Sequence, residues 1–265
     1  MGNKADHLKV FAKLLQQNDQ EQIIDYIKRN SNLPGPRGNL EMAFAFRDTI
    51  SSQIPSKANE LMQLCTEFTN FDSLVAPTND PMEMVPFCGI IGIGRIGSLN
   101  EFHTKCLELV HFHATDERWR MREGIAMALS DLIGSHSEET ISQLEIWMQD
   151  ADWLIYRGIV AGFAEPKILR DEYISKTALR FHDRILEQVL MNENSKNEEF
   201  KVLVKALKYT VSVVAAVDPE AGFTFIDKWI RKKSKLISSI IKSNLQKNRL
   251  IKLDKDRVNL LLSRI

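Results

Sequence analysis

The chain has 265 residues, of which 44% are hydrophobic and 26% charged, and these proportions exclude a disordered or collagen-like protein. The net charge is zero, but the charges are unevenly distributed. Residues 228–265 carry twelve Lys and Arg and two acidic residues, whereas residues 1–227 carry 23 Lys and Arg and 33 acidic residues. No apolar run approaches the roughly 18 residues of a membrane helix, and residues 1–6 hold no apolar secretory segment, so we expect no membrane association and a cytoplasmic location.

Helix patterns occupy almost the whole chain. Apolar residues recur at helical spacing, Asp80-Pro81 and Asp218-Pro219 have the residue types of helix starts, and alternating strand patterns are nearly absent. The breaks are short and polar, which favours one continuous domain over residues 1–265. Helices are predicted near residues 5–17, 19–30, 39–53, 56–70, 81–97, 99–113, 116–133, 138–149, 152–164, 167–192 (broken in two), 198–217, 219–232, 234–246 and 255–264.

A glycine motif lies in the first half of the chain. Gly92, Gly94 and Gly97 form a G-x-G-x-x-G pattern, and Asp116 follows nineteen residues after the last of them. This pattern is typical of dinucleotide sites, in which glycines admit a pyrophosphate at a helix start. The segments that follow have helix rather than strand patterns, so close packing of helices through the glycines is the favoured interpretation, and a nucleotide site is the other.

One segment is repeated. Residues 116–129 (DERWRMREGIAMAL) have a weaker copy at residues 150–163 (DADWLIYRGIVAGF), with Trp119 and Trp153 at equivalent positions 34 residues apart. This period is typical of stacked helical repeats, in which each helix pair buries its apolar face against its neighbours. The sequence therefore predicts an all-α fold, an α-α superhelix of antiparallel helix pairs.

An arginine lies on the apolar stripe of the first copy. Arg122 shares this stripe with Ile125 and Leu129, and a guanidinium group there needs a partner. Asp116 precedes this helix and Asp150 precedes the next one. We expect these aspartates and the arginine to form a ladder between stacked repeats.

Asp116, Arg122, and the small residues Ala126 and Ala128 together resemble the second helix of a HEAT repeat. The resemblance extends over about residues 82–253 and implies an α-solenoid. HEAT solenoids are mostly binding surfaces, so it also implies a non-enzymatic scaffold that binds a protein or nucleic acid through its concave face and its basic carboxyl-terminal helices. On this interpretation residues 1–80 are divergent helices, residues 81–253 are the repeats, and residues 254–265 form a capping helix.

A narrower similarity suggests a second function. Bacterial alkylpurine DNA glycosylases are built from HEAT-like repeats and hold damaged DNA with tryptophans, arginines and an aspartate. Residues of these types occur here at Trp119, Arg120, Asp152, Trp153 and Arg157, but no spacing identifies a catalytic aspartate. The similarity implies a DNA-binding repair protein as the alternative, and the catalytic residues are unknown.

Metal and enzyme motifs are absent from the sequence. Cys65, Cys88 and Cys106 lie among apolar residues, as buried thiols do, and His103 with Cys106 has chelating spacing but no second pair. There is no G-x-S-x-G, H-E-x-x-H or P-loop motif. We expect no metal site and no cofactor, and no motif supports an enzyme.

The carboxyl-terminal segment is the strongest functional lead. Lys228, Lys232, Lys235 and Lys242 would share a face if the segment were one helix, and such a face could follow phosphates or bind an acidic protein. The alternative is the solvated side of amphipathic helices. The neighbouring cations are Arg231, Lys233, Lys247, Arg249 and Lys252. The predicted binding residues are Arg120, Arg157, Lys228, Arg231, Lys232, Lys235, Lys242, Lys247 and Arg249, and the candidate stacking residues are Trp119 and Trp153.

Overall fold

The computed structural model describes residues 3–150 and 152–265, and within them every regular element is helical. The all-α prediction is confirmed. None of the described helices combines the length and apolar character needed to cross a bilayer. The α-helices are α1 (Lys4–Gln17), α2 (Gln20–Arg29), α3 (Leu40–Thr69), α4 (Met84–Ile96), α5 (Asn100–His113), α6 (Trp119–Ser135), α7 (Ser137–Trp147), α8 (Trp153–Phe163), α9 (Glu172–Met191), α10 (Glu198–Ala215), α11 (Pro219–Ile230), α12 (Lys235–Leu245), α13 (Asn248–Ile251) and α14 (Lys255–Leu262).

The contacts divide the chain into two compact units, residues 1–136 and residues 137–265. We call them the amino-terminal unit and the carboxyl-terminal unit. The assignment of the whole chain to one domain stays a prediction.

In the amino-terminal unit, α3 packs on α1 and α4, and α4 packs on α6. Helix α3 contains Pro55 and the non-helical residue Lys57, so it consists of two helical segments joined at a kink, close to the break predicted between residues 53 and 56. Helix α4 is the most enclosed element, because every residue in it except Arg95 is buried.

The glycine motif lies within α4 and at its carboxyl end. A Cβ atom on Gly94 would lie 2.6 Å from the Cα atom of Ala128 in α6, and one on Gly92 would lie 2.6 Å from the Sγ atom of Cys65 in α3. The missing side chains therefore let α4 approach its neighbours closely. The packing interpretation is confirmed, and the alternative of a strand followed by a pyrophosphate-binding turn is wrong.

All three cysteines are free and buried in the amino-terminal unit. Burial raises the pKa of the Cys106 thiol to about 12 and also raises the pKa values of Cys65 and Cys88. The prediction of buried thiols is confirmed.

In the carboxyl-terminal unit, α8, α10 and α12 pack side by side, and α9 and α11 connect them. Asn197, Asp218 and Ser234 cap α10, α11 and α12 by accepting hydrogen bonds from backbone N–H groups in the first turn. This alternation of layered and connecting helices is the arrangement expected of stacked helix pairs. It places α10 and α12 next to each other.

Candidate functional site

Arg118 is the arginine that pairs with Asp116. Its side chain is 2% exposed, its Nε and Nη2 atoms lie 3.0 and 2.6 Å from the carboxylate oxygens, and Nη1 donates to the backbone oxygens of Phe71 and Ala76. The part of the predicted ladder that joins Asp116 to Arg122 is therefore wrong, and the part that involves Asp150 stays a prediction. Arg118 stands just before α6 with an extended backbone, which directs its guanidinium back to a residue two positions earlier, while Arg122 is half-buried.

Arg120, a predicted binding residue, lies inside the protein. Its Nη1 atom is 2.6 Å from Oε2 of Glu83, whose side chain is completely buried, and Nη2 donates to the backbone oxygen of Gly35. A buried guanidinium with these partners holds two segments of the fold together and is not available to a macromolecule. The neighbouring Trp119 is 49% exposed, and its ring centroid lies 5.2 Å from Cζ of Arg120.

The repeated segment in the carboxyl-terminal unit is also used for folding. Trp153 is half-buried and packs edge-on against Phe200, with ring centroids 5.1 Å apart. Arg157 is only 4% exposed, and Asp152 accepts hydrogen bonds from two backbone N–H groups in the first turn of α8. Asp152 is therefore a helix cap, and Arg157 contributes nothing to an exposed basic surface.

The basic segment is not one helix. Helix α11 ends at Ile230, Lys233 adopts a left-handed backbone conformation with φ of 54°, and Ser234 caps α12. The shared face expected for a continuous helix is therefore not formed. The break separates Lys228 and Lys232 from the lysines of α12.

Two of the predicted lysines lie over a tryptophan. The Nζ atom of Lys228 is 2.6 Å from a carboxylate oxygen of Asp183, and the Nε1 atom of Trp229 donates to the same carboxylate at 3.0 Å. The Nζ atoms of Lys228 and Lys232 lie 5.6 and 5.8 Å from the ring centroid of Trp229. The fully buried Trp229 ring and its cations thus form a packed cluster, in which the charge of Lys228 is already paired.

Asp227 neutralises part of the remaining charge. It accepts hydrogen bonds from Arg231 and from Arg264, the latter at 2.8 Å. The hydrogen bond from Arg231 is the largest cause that lowers the pKa of this carboxyl group. The predicted binding residue Arg231 is therefore exposed but paired.

The remaining lysines line a groove. Lys233, Lys235 and Lys242 surround a cavity of about 630 Å³, and in the part of the chain that the structure describes none of their ammonium groups forms an ion pair. We call this cavity the tail groove. Its other lining residues are Ile230, Ser234, Ser238, Ser239, Ser243, Gln246, Arg264 and Ile265.

A second lysine-lined groove was missed by the sequence analysis. Lys201, Lys205 and Lys208 of α10 line a cavity of about 330 Å³ together with Leu236 of α12. We call it the α10 groove. Its signal is the i, i+4, i+7 spacing of the lysines, which places them along one face of a helix. The net charge of residues 198–217 does not reveal it, because this segment contains acidic residues as well.

The last two predicted cations lie elsewhere. Lys247 is half-buried just before α13, and Arg249 is exposed within it. Neither residue lines the tail groove or the α10 groove. They contribute to the general basic character of the segment and not to either cavity.

The histidines and cysteines of residues 3–150 and 152–265 are not gathered into a metal site. No group of three or more His, Cys, Asp or Glu side chains in these residues could hold a metal ion. His103 hydrogen-bonds through Nδ1 to the backbone oxygen of Gly97 at 2.9 Å, and Cys106 is buried beside Met62. These contacts account for the pair whose spacing resembled a chelating site.

Comparisons with known proteins identify no family for the chain. No protein-family model and no curated protein sequence matches the chain. A designed armadillo-repeat protein is similar over 85% of this chain and 98% of its own, with 13% identity and a TM-score of 0.30. An engineered protein solved by a structural genomics consortium is similar over 89% of this chain and 97% of its own, with 12% identity and a TM-score of 0.32. Scores this low carry no argument about function, and none of these findings shows a similarity to DNA alkylation repair proteins.

Proposed function

We propose that the protein is a helical-repeat binding protein whose tail groove binds an acidic macromolecule. The observation that carries the proposal is the convergence of Lys233, Lys235 and Lys242 on one cavity without an acidic partner for any of them in the described residues. Unpaired cations around a concave surface repel one another, and an anionic ligand relieves this repulsion.

The contrast with other arginines and lysines supports this proposal. Arg118 and Arg120 are buried with carboxylate partners, and Lys228 and Arg231 are paired on the surface. Unlike these four residues, the three lysines of the tail groove have no acidic partner in the described residues and line one cavity. Ser238 and Ser239, which are half-buried in the same groove, add hydroxyl groups that can donate hydrogen bonds to an anion.

The test measures binding of fluorescein-labelled polyanions by fluorescence anisotropy. Replacing Lys233, Lys235 and Lys242 together by Gln should weaken binding of a labelled DNA duplex or of labelled poly-L-glutamate. If three phosphates are contacted, DNA affinity of the unmodified protein should fall about 40-fold between about 50 and 200 mM salt, from a slope of about 0.9 per contact.

The matched control removes the same charge from the amino-terminal unit. Lys9→Gln, Lys13→Gln and Lys28→Gln change three exposed lysines that form no ion pair in the described residues. This control should leave affinity within about twofold of the unmodified protein, because its charges lie on the other unit, outside the tail groove. Equal binding by the two triple variants, or no binding of either polyanion by the unmodified protein, would overturn the proposal.

A catalytic function is not proposed. The glycosylase-type alternative depends on arginines and an aspartate that could contact DNA, but Arg120 and Arg157 are buried and Asp152 caps α8. No observation in the described residues favours it over simple binding.

A further inference from the structure

We infer that the acidic macromolecule is a nucleic acid, held by its phosphate backbone in two grooves that adjoin α12 and not by its bases. This inference rests on the proposed function of the tail groove. It adds the α10 groove as a second part of the site and names the class of ligand.

The two grooves meet on one helix. Lys235 lines the tail groove and the next residue, Leu236, lines the α10 groove, so both cavities adjoin the first turn of α12. Lys242 is seven residues after Lys235, and Lys208 is seven residues after Lys201. At 1.5 Å per residue, each pair spans about 10 Å along its helix. Packed helices lie about 8–10 Å apart, so the lysines form two rows separated by about one helix spacing.

The acidic residues near the α10 groove leave most of its charge available. Glu193 accepts a hydrogen bond from the hydroxyl group of Ser234 at 2.5 Å, and Glu198 pairs with Lys201 at 2.6 Å. In the described residues, Lys205 and Lys208 form no ion pair. With the three lysines of the tail groove, this makes five unpaired ammonium groups around α12.

A ligand that neutralises both rows needs negative charge that repeats over a distance of about 10 Å in two directions. Nucleic acids meet this requirement because every nucleotide carries a phosphate, and a duplex carries one charge per about 1.7 Å of its axis. A segment of a protein reaches both rows with negative charge only if it is acidic along its whole length, whereas every nucleotide of a nucleic acid carries this charge. The existence of two rows therefore favours a nucleic acid over an acidic peptide.

The chemistry of the groove walls favours phosphates over bases. The polar residues of the tail groove are lysines, serines and Gln246, with Arg264 held by Asp227, and these types commonly contact phosphates and sugars. The aromatic residue that lines the α10 groove, Phe200, is 2% exposed, and none lines the tail groove. Neither groove therefore offers a stacking platform for the bases. Binding should be independent of sequence and strongly dependent on salt.

The experiment compares salt slopes for two fluorescein-labelled 20-base-pair duplexes of unrelated sequence. Removing the three lysines of the tail groove (K233Q, K235Q and K242Q) should reduce the slope of log K against log salt by about 2.7, and K205Q with K208Q should reduce it by about 1.8. The matched control, K9Q with K13Q, should leave the slope unchanged. Both sequences should bind within about twofold of each other.

Competition with unlabelled poly-L-glutamate separates the ligand classes. Weaker competition by poly-L-glutamate than by DNA at equal concentrations of negative charge supports the inference. Equal competition, a tenfold preference for one sequence, or an unchanged slope in K205Q with K208Q overturns it while leaving the tail groove as a binding site. Absence of binding to every polyanion overturns the proposed function itself.

Discussion

The positive side chains near the start of α6 and those around α12 are used in opposite ways. In the amino-terminal unit, Arg118 and Arg120 are buried, and each has a carboxylate and at least one backbone oxygen as partners. Around α12, the lysines of the tail groove remain exposed and unpaired in the described residues. The charge of a residue therefore does not reveal its role, whereas its burial and partners do.

The choice of residue type follows from this difference. The planar guanidinium of Arg118 presents several donors in fixed directions, and it reaches two carboxylate oxygens and two backbone oxygens at once. A lysine ammonium is a flexible point charge that can follow a phosphate without fixed geometry. We expect substitutions of the buried arginines to affect stability and substitutions of the tail-groove lysines to affect binding.

The largest expected effect is the loss of stability in Arg118→Ala. The substitution leaves Asp116 half-buried without its partner and removes the donors for two backbone oxygens, so we expect a loss of about 3–5 kcal/mol in the free energy of unfolding. Urea denaturation measures it. The control is Arg29→Ala, which removes an exposed i, i+4 pair with Asp25 and should cost no more than about 0.5 kcal/mol. Similar losses in the free energy of unfolding of the two variants would contradict the distinction between buried and exposed ion pairs.

A buried histidine extends the comparison to the core of the carboxyl-terminal unit. His182 is fully buried, with Nδ1 2.7 Å from the backbone oxygen of Ala178 and Nε2 3.0 Å from Oγ1 of Thr210, and desolvation lowers its pKa from 6.5 to about 4. Above pH 6.5 the imidazole ring of His182 is neutral in both the folded and the unfolded protein. Between pH 6.5 and 4 the unfolded chain takes up a proton that the folded chain does not, so stability falls.

The expected loss through His182 is about 3 kcal/mol, at 1.36 kcal/mol per pH unit, and it is complete near pH 4. Unfolding in urea at pH 7 and pH 5 measures most of it. His182→Gln has no proton to gain and should show a smaller decrease over this interval. An equal decrease in both proteins would show that other groups are responsible.

A close helix contact gives the next largest effect. In Gly94→Ala the new methyl group would lie 2.6 Å from the Cα atom of Ala128, so α4 and α6 must move apart, at a cost of about 1–3 kcal/mol. Gly134→Ala is the control, because Gly134 is exposed in α6 and alanine there should stabilise the helix by a few tenths of a kcal/mol. Thermal unfolding shows whether each substitution raises or lowers the stability of the protein. A stabilised Gly94→Ala protein would show that the contact is loose.

The smallest expected effect on stability belongs to Lys235→Gln. Its side chain is exposed and unpaired in the described residues, so the free energy of unfolding should change by less than about 0.5 kcal/mol. Urea denaturation checks this value, and anisotropy with labelled DNA should show weaker binding by the same protein. A loss of stability as large as that of Arg118→Ala would show that this lysine serves the fold.

The sequence predicted the helices and the close packing at Gly92 and Gly94 because both depend on local periodicity and residue size. It assigned the wrong arginine to Asp116 because α6 begins at Trp119, three residues later than predicted, so Arg118 has an extended backbone that directs its guanidinium back to Asp116. The break between α11 and α12 was predicted near residue 233, where Lys233 adopts a left-handed conformation that a glycine would normally indicate. Positions of side chains around such breaks depend on tertiary contacts that periodicity does not contain.

The three thiols all belong to the amino-terminal unit, and each is buried. Thiolates are the reactive species, so a thiol reagent can modify Cys65, Cys88 or Cys106 only when that part of the chain opens to water. The carboxyl-terminal unit contains no cysteine in its sequence. The rate of cysteine alkylation in native buffer therefore measures how often the buried thiols of residues 1–136 become exposed. It gives no information on residues 137–265.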